Sequence, residues 1–110
     1  MNLPYETYFV DKKNRIECML LCALKKHINW YESGLRIVSW NYKKTHSGNA
    51  ENLNQAFNNH TRFEIDKRRK VQLRPIGIGD VIVFDGTPYI IGVFGFIQIP
   101  IILWNRIIVK

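Results

Sequence analysis

Gly77-Ile78-Gly79-Asp80-Val81-Ile82-Val83-Phe84-Asp85-Gly86-Thr87-Pro88-Tyr89-Ile90 carries the reading of the fold. Gly77 and Gly79 punctuate a turn into the β-rich run Asp80 to Phe84. Asp85-Gly86 is a two-residue hairpin signal, because its glycine tolerates the positive φ that such a turn needs. Pro88 lacks an amide hydrogen, so it begins a strand or lies on an edge. Tyr89 to Ile99 reads as a continuing strand, with Gly92 and Gly95 as bulges. Pro100 breaks it, and Ile101 to Val109 reads as a last strand.

Upstream of this hairpin the pattern changes period. Tyr5 to Val10 is a short strand candidate. Arg15 to Glu32 reads as a helix, since Ile16, Leu20, Ala23, Leu24, Ile28 and Tyr31 recur at helical spacing opposite a polar side. Ser33-Gly34 is its stop signal. Leu35 to Tyr42 reads as a strand, with Leu35, Ile37, Ser39 and Asn41 on one face and Arg36, Val38, Trp40 and Tyr42 on the other. Lys43 to Gly48 reads as a polar loop. Asn49 caps a short helix over Ala50 to Asn59, and Thr61 to Lys70 is charged and exposed. The expected architecture is α+β: two helices packed on a curved, mostly antiparallel sheet or a small, partly open barrel.

The chain has 110 residues, of which 46% are hydrophobic and 23% charged, which suits one globular domain spanning 1–110. Lys and Arg number 16 against 9 Asp and Glu, a net charge of +7, and the pI is about 9.7. This excludes a fibrous repeat, a disulfide scaffold and an acidic chain. Cys18 and Cys22 are four residues apart in an apolar helix and read as buried thiols, as expected in a reducing cytoplasm. The N-terminus lacks a cleavable leader pattern. The apolar run Tyr89 to Trp104 is shorter than the about 20 residues of a bilayer-spanning helix and is interrupted by Gln98 and Pro100, so no membrane partner is expected.

Arg74 to Tyr89, followed by Phe94-Gly95-Phe96-Ile97-Gln98-Ile99, resembles the YodL-like domain of small phage, plasmid and mobile-element proteins. Glu51 to Asn58 looks like the short helix that precedes this core in that family. The resemblance covers 50–99 and departs from the family pattern at Pro75 and Ile76; residues 1–48 have no counterpart in it. It implies an accessory protein of mobile DNA and brings no catalytic residues with it.

Charge is the sharpest functional signal. Between Thr61 and Arg74, the cations Arg62, Lys67, Arg68, Arg69, Lys70 and Arg74 outnumber Glu64 and Asp66, a local +4 out of +7. Such a run either neutralises phosphates with release of counterions, or is a solvated, aggregation-blocking surface. A second patch joins Arg36, Trp40 and Tyr42 to Lys43-Lys44, basic groups beside aromatic faces of the kind that bind single strands, unless the rings serve the core. The leading expectation is therefore a non-catalytic protein that binds nucleic acid or a nucleoprotein, with no metal and no cofactor.

Two alternatives remain open. One is a protein–protein inhibitor of a host defence factor. The other is a metal-independent ribonuclease, built on His60, Arg62 and Glu64 if that segment is extended. The surplus of apolar residues in the C-terminal segment also predicts a homodimer, with Phe94, Phe96, Ile97, Ile99 and Ile101 at or beside the contact.

Overall fold

The computed structural model describes residues 2–23, 38–67, 76–93 and 95–108, without the side chains of 21–23 and 61–67. Strand β1 (Leu3–Val10) leads into helix α1 (Lys12–Ala23). Then come β2 (Tyr42–Ala50), α2 (Leu53–Lys67), β3 (Val81–Phe84), β4 (Thr87–Gly92), β5 (Gly95–Gln98) and α3 (Ile101–Ile108). The five strands form one open antiparallel sheet in the order β2-β1-β3-β4-β5. The class is α+β with a curved sheet, and the sheet does not close into a barrel. β1 lies between β2 and β3, so the N-terminal part of the chain supplies an interior strand to the C-terminal hairpins.

The Asp85-Gly86 turn forms as its chemistry requires, with φ of 49° and 80° and Phe84 paired to Thr87. Gly92 and Gly95 are not bulges. They pair with each other as β4 gives way to β5, and Gly95 has φ 120°, so the expected long strand is two strands.

The last segment is also corrected: Ile101 to Ile108 is helix, not strand. Pro100 starts it, its carbonyl accepting the Trp104 amide at 3.0 Å. Trp104 and Ile107, three residues apart, share the buried side.

Helices among the described residues cover both faces of the sheet. On one face Val10, Val81, Val83, Ile90, Ile97 and Ile99 pack with Cys18 of α1 and with Trp104 and Ile107 of α3. On the other, Tyr5, Ile82 and Ile91 pack with Ala56 of α2. Two-sided burial explains why the β3–β4 sequence is continuously apolar rather than alternating. It also takes part of the apolar surplus of the C-terminal segment into the chain's own core. Ile82 and Ile90 are fully buried on opposite faces, and each burial contributes about 1.5–3 kcal/mol.

The Gly77–Val81 segment has a clear structural role. The buried Asp80 carboxylate accepts the Val10 amide at 3.0 Å and the Gly77 amide at 2.9 Å, tying β1 to the turn before β3. Gly79 has φ +93°, and a Cβ there would lie 2.7 Å from Cys18 Sγ. Both the backbone conformation and the close approach of α1 therefore demand glycine.

Candidate functional site

Two places gather chemistry: the end of the sheet where β1 enters α1, and the polar layer between β1–β2 and α2.

At the sheet end, the Asp11 amide donates to Asn41 O at 2.7 Å and the Asn41 amide donates to Asn14 Oδ1 at 3.2 Å. These bonds clamp the start of α1 to the segment entering β2. Between them opens a cleft of about 360 Å³ lined by Phe9, Val10, Asp11, Asn41, Tyr42 and Lys43. Tyr42 is half-buried, its hydroxyl donating to Gly79 O at 2.9 Å and its ring edge-on to Trp104 at 5.6 Å. Lys12 and Lys13, both exposed, follow Asp11 at the start of α1.

Lys43 and Lys44 are exposed on β2. Lys43 pairs with Phe9 on the α2 face and Lys44 with Tyr8 on the opposite face, so cations flank both sides of this edge strand. Lys44 also forms a 2.8 Å ion pair with Glu6, a surface contact worth at most about 1 kcal/mol.

The structure sorts the sequence-derived candidates. Tyr42, Lys43 and Lys44 meet at the cleft and on β2, in a segment expected to be mostly loop. Trp40 does not join them: it is 1% exposed, packed in the α1/α3-side core, and its indole cannot stack on a base. Of the expected strand over 35–42, the described part is strand only at Tyr42, where β2 begins; Val38 is helical, Ser39 a turn, and Trp40 and Asn41 coil. Arg36, Arg68, Arg69, Lys70 and Arg74 lie outside the described residues. Arg62 and Lys67 belong to α2, which runs on to Lys67 instead of ending at Asn59. Its cap is Asn52 rather than Asn49, with Asn52 Oδ1 accepting the Gln55 amide at 2.9 Å.

Two of the five expected interface residues are corrected by burial. Ile97 and Ile99 are buried in the chain's own core, and half-buried Phe96 meets Phe57 edge-on at 6.4 Å. Ile101 is 49% exposed, and Phe94 lies outside the described residues. The ribonuclease geometry is likewise not met. Residues 60–64 are helical, so the two-residue period that placed His60, Arg62 and Glu64 on one side is absent. His60 itself is 1% exposed.

The polar layer under α2 was not legible in the sequence. Thr7 Oγ1 lies 2.7 Å from His60 Nδ1 and 3.1 Å from Thr45 Oγ1. Tyr5 Oη lies 3.0 Å from His46 Nε2, and the two imidazoles meet edge-on at 5.6 Å. A β-bulge assembles this group. The β1–β2 register shifts between Thr7 and Tyr8, leaving Thr45 as the extra residue. Tyr42 and Lys44 therefore lie on the α1/α3 face, while His46 and Gly48, at the same sequence parity, lie on the α2 face.

Burial pushes the His60 imidazole down to about 4, against a smaller opposing pull from Asp80. His46 is lowered by burial and by its neighbour His60. Burial raises the Tyr5 phenol, with a hydrogen bond to Asn59 opposing. Neutral imidazoles and hydroxyls thus seat α2 on the edge of the sheet. The one sequence hint was the presence of His46 and His60 on either side of a helix start.

Compared with known proteins, the chain matches no family model, no curated protein and no solved structure.

Proposed function

We propose that this is a small binding protein that engages nucleic acid, or a nucleoprotein, through a basic surface centred on the start of α1 and the edge strand β2. The observation that carries the reading is that exposed Lys43 lines the cleft at one sheet end and exposed Lys12 and Lys13 directly follow its Asp11, in a chain of net charge +7. Lysines neutralise phosphates and release condensed counterions, giving salt-sensitive affinity that is indifferent to sequence. The resemblance of 50–99 to YodL-like domains supports the same setting, an accessory protein of mobile DNA acting in the host cytoplasm.

The test is a salt titration of DNA and RNA binding by two variants. One carries Lys12, Lys13, Lys43 and Lys44 changed to Gln, and the other Lys67, Arg68, Arg69 and Lys70 changed to Gln. The first should bind all sequences more weakly, with the log–log salt slope flattened by about 0.7–0.9 per lost phosphate contact. Loss in the second variant alone moves the interface to the end of α2. Unchanged affinity and slope in both refute the reading.

A second reading, inhibition of a host defence factor by direct contact, draws on α3. Ile102 is 76% exposed there, beside exposed Ile101 and Ile108.

A further inference from the structure

We propose that the cleft at the β1/β2 end is a pocket for one unpaired nucleobase bearing an exocyclic amino group. This rests on the nucleic-acid reading above and narrows it to single strands.

Size is the first argument. Ligand pockets span about 300–1,000 Å³, and this one, at about 360 Å³, stands at the small end, suited to a single ring system. A base stacked and paired inside a duplex cannot enter such a cleft, whereas a single strand can splay one out.

The lining sets the orientation. Phe9, half-buried on the α2 face and paired with Lys43, offers ring surface, Val10 and Tyr42 belong to the core side of the opposite face, and Asp11 and Asn41 are exposed polar groups. A carboxylate in the lining repels phosphate and accepts N–H, so it selects the base rather than the backbone. Lys43, with Lys12 and Lys13 beside Asp11 in the chain, takes the phosphates outside. Asp accepts from the N4 amino group of cytosine, while thymine presents a carbonyl at the same position. The Asn41 amide can serve as both donor and acceptor.

The walls are held before any ligand arrives. Tyr42 is anchored to Gly79 O and Trp104, the Phe9 ring lies 5.4 Å from that of His60, and Asp11 is bonded to Asn41 through the backbone. Little ordering cost is then left to offset the contacts made on binding.

Fluorescence anisotropy with three labelled probes tests this: oligo-dC, oligo-dT and an abasic deoxyribose-phosphate chain, each about ten nucleotides long. Oligo-dC should bind about tenfold or more tighter than the abasic chain, and more tightly than oligo-dT. Asp11→Asn should reduce the dC-over-dT ratio while raising affinity for the abasic chain, because a repulsive charge is gone. Asp11 immediately precedes α1, and Asn caps a helix as well as Asp does, so this variant should fold. Exposed Asn41→Ala should lower the same ratio.

Equal binding of oligo-dC and the abasic chain would overturn the pocket, and the basic-surface reading would survive if the lysine variants weakened both probes. A dC preference unchanged in Asp11→Asn and Asn41→Ala would also overturn it, by placing the base elsewhere. Failure of all three probes to bind would overturn the pocket, while salt-dependent binding of duplex DNA or RNA would keep the basic surface.

Discussion

Lowering the pH should loosen the seat of α2, and the loss should pass through His60. In the unfolded chain this imidazole titrates near 6.5, whereas in the fold burial pushes it down to about 4. The folded state therefore prefers the neutral ring. The stability this contributes is fully present above 6.5 and is lost as pH falls from 6.5 toward 4, because the unfolded chain takes up the proton first. At 1.36 kcal/mol for each pH unit separating the two values, the full loss is about 3 kcal/mol, and about 2 kcal/mol has gone by pH 5. With His60 only 1% exposed, solvent screening leaves that figure largely intact. His46, also lowered, adds a loss of the same sign.

Urea unfolding at half-unit steps from pH 7.5 to 4.5 measures this, with His60→Asn as the comparison. Asn keeps a short polar group facing Thr7 but cannot take a proton in this range. It should be less stable at pH 7 and should show a shallower fall toward pH 5. Carboxylates titrate in both proteins, so the difference between the two curves isolates the imidazole. Parallel curves would show that His60 is not held neutral by burial and would refute the account of the polar layer.

Two further outcomes follow from packing. Gly79→Ala adds a methyl group 2.7 Å from Cys18 Sγ at φ +93° and should destabilise the fold by about 2–4 kcal/mol in denaturant melts; a change under about 0.5 kcal/mol would mean that α1 does not pack there. Ile99→Lys places a charge at a position that is 1% exposed and should cost more than about 3 kcal/mol or abolish folding, whereas Ile101→Lys should stay within about 0.5 kcal/mol. Equal tolerance of the two, read by thermal melting, would contradict the assignment of Ile99 to the core.

The candidate site was partly legible. Lys43, Lys44 and Tyr42 stand out by residue type, and so does the overall basic balance. Asp11 and Asn41 did not, because ordinary polar residues acquire meaning only when the Asp11–Asn41 bond brings 11 and 41 together across thirty residues of chain. Trp40 was legible as a large aromatic, but burial depends on what packs over it, and local pattern does not carry that.

The α+β class, the β1 strand and the Asp85-Gly86 hairpin are legible in the chain's local chemistry. Each rests on chemistry within a few residues: a glycine at positive φ, a proline without an amide hydrogen, an alternating or helical period. Tertiary structure alone decided three other things. Residues 43–48 form an edge strand, since an edge needs backbone pairing with β1 and no apolar face of its own. Ile101–Ile108 is a helix, because a short run of Ile fits either period until Trp104 and Ile107 find a sheet face to cover. His46 meets His60 because a single bulge residue, Thr45, turns the second half of β2 over, and a register shift is a property of two paired strands that neither strand carries alone.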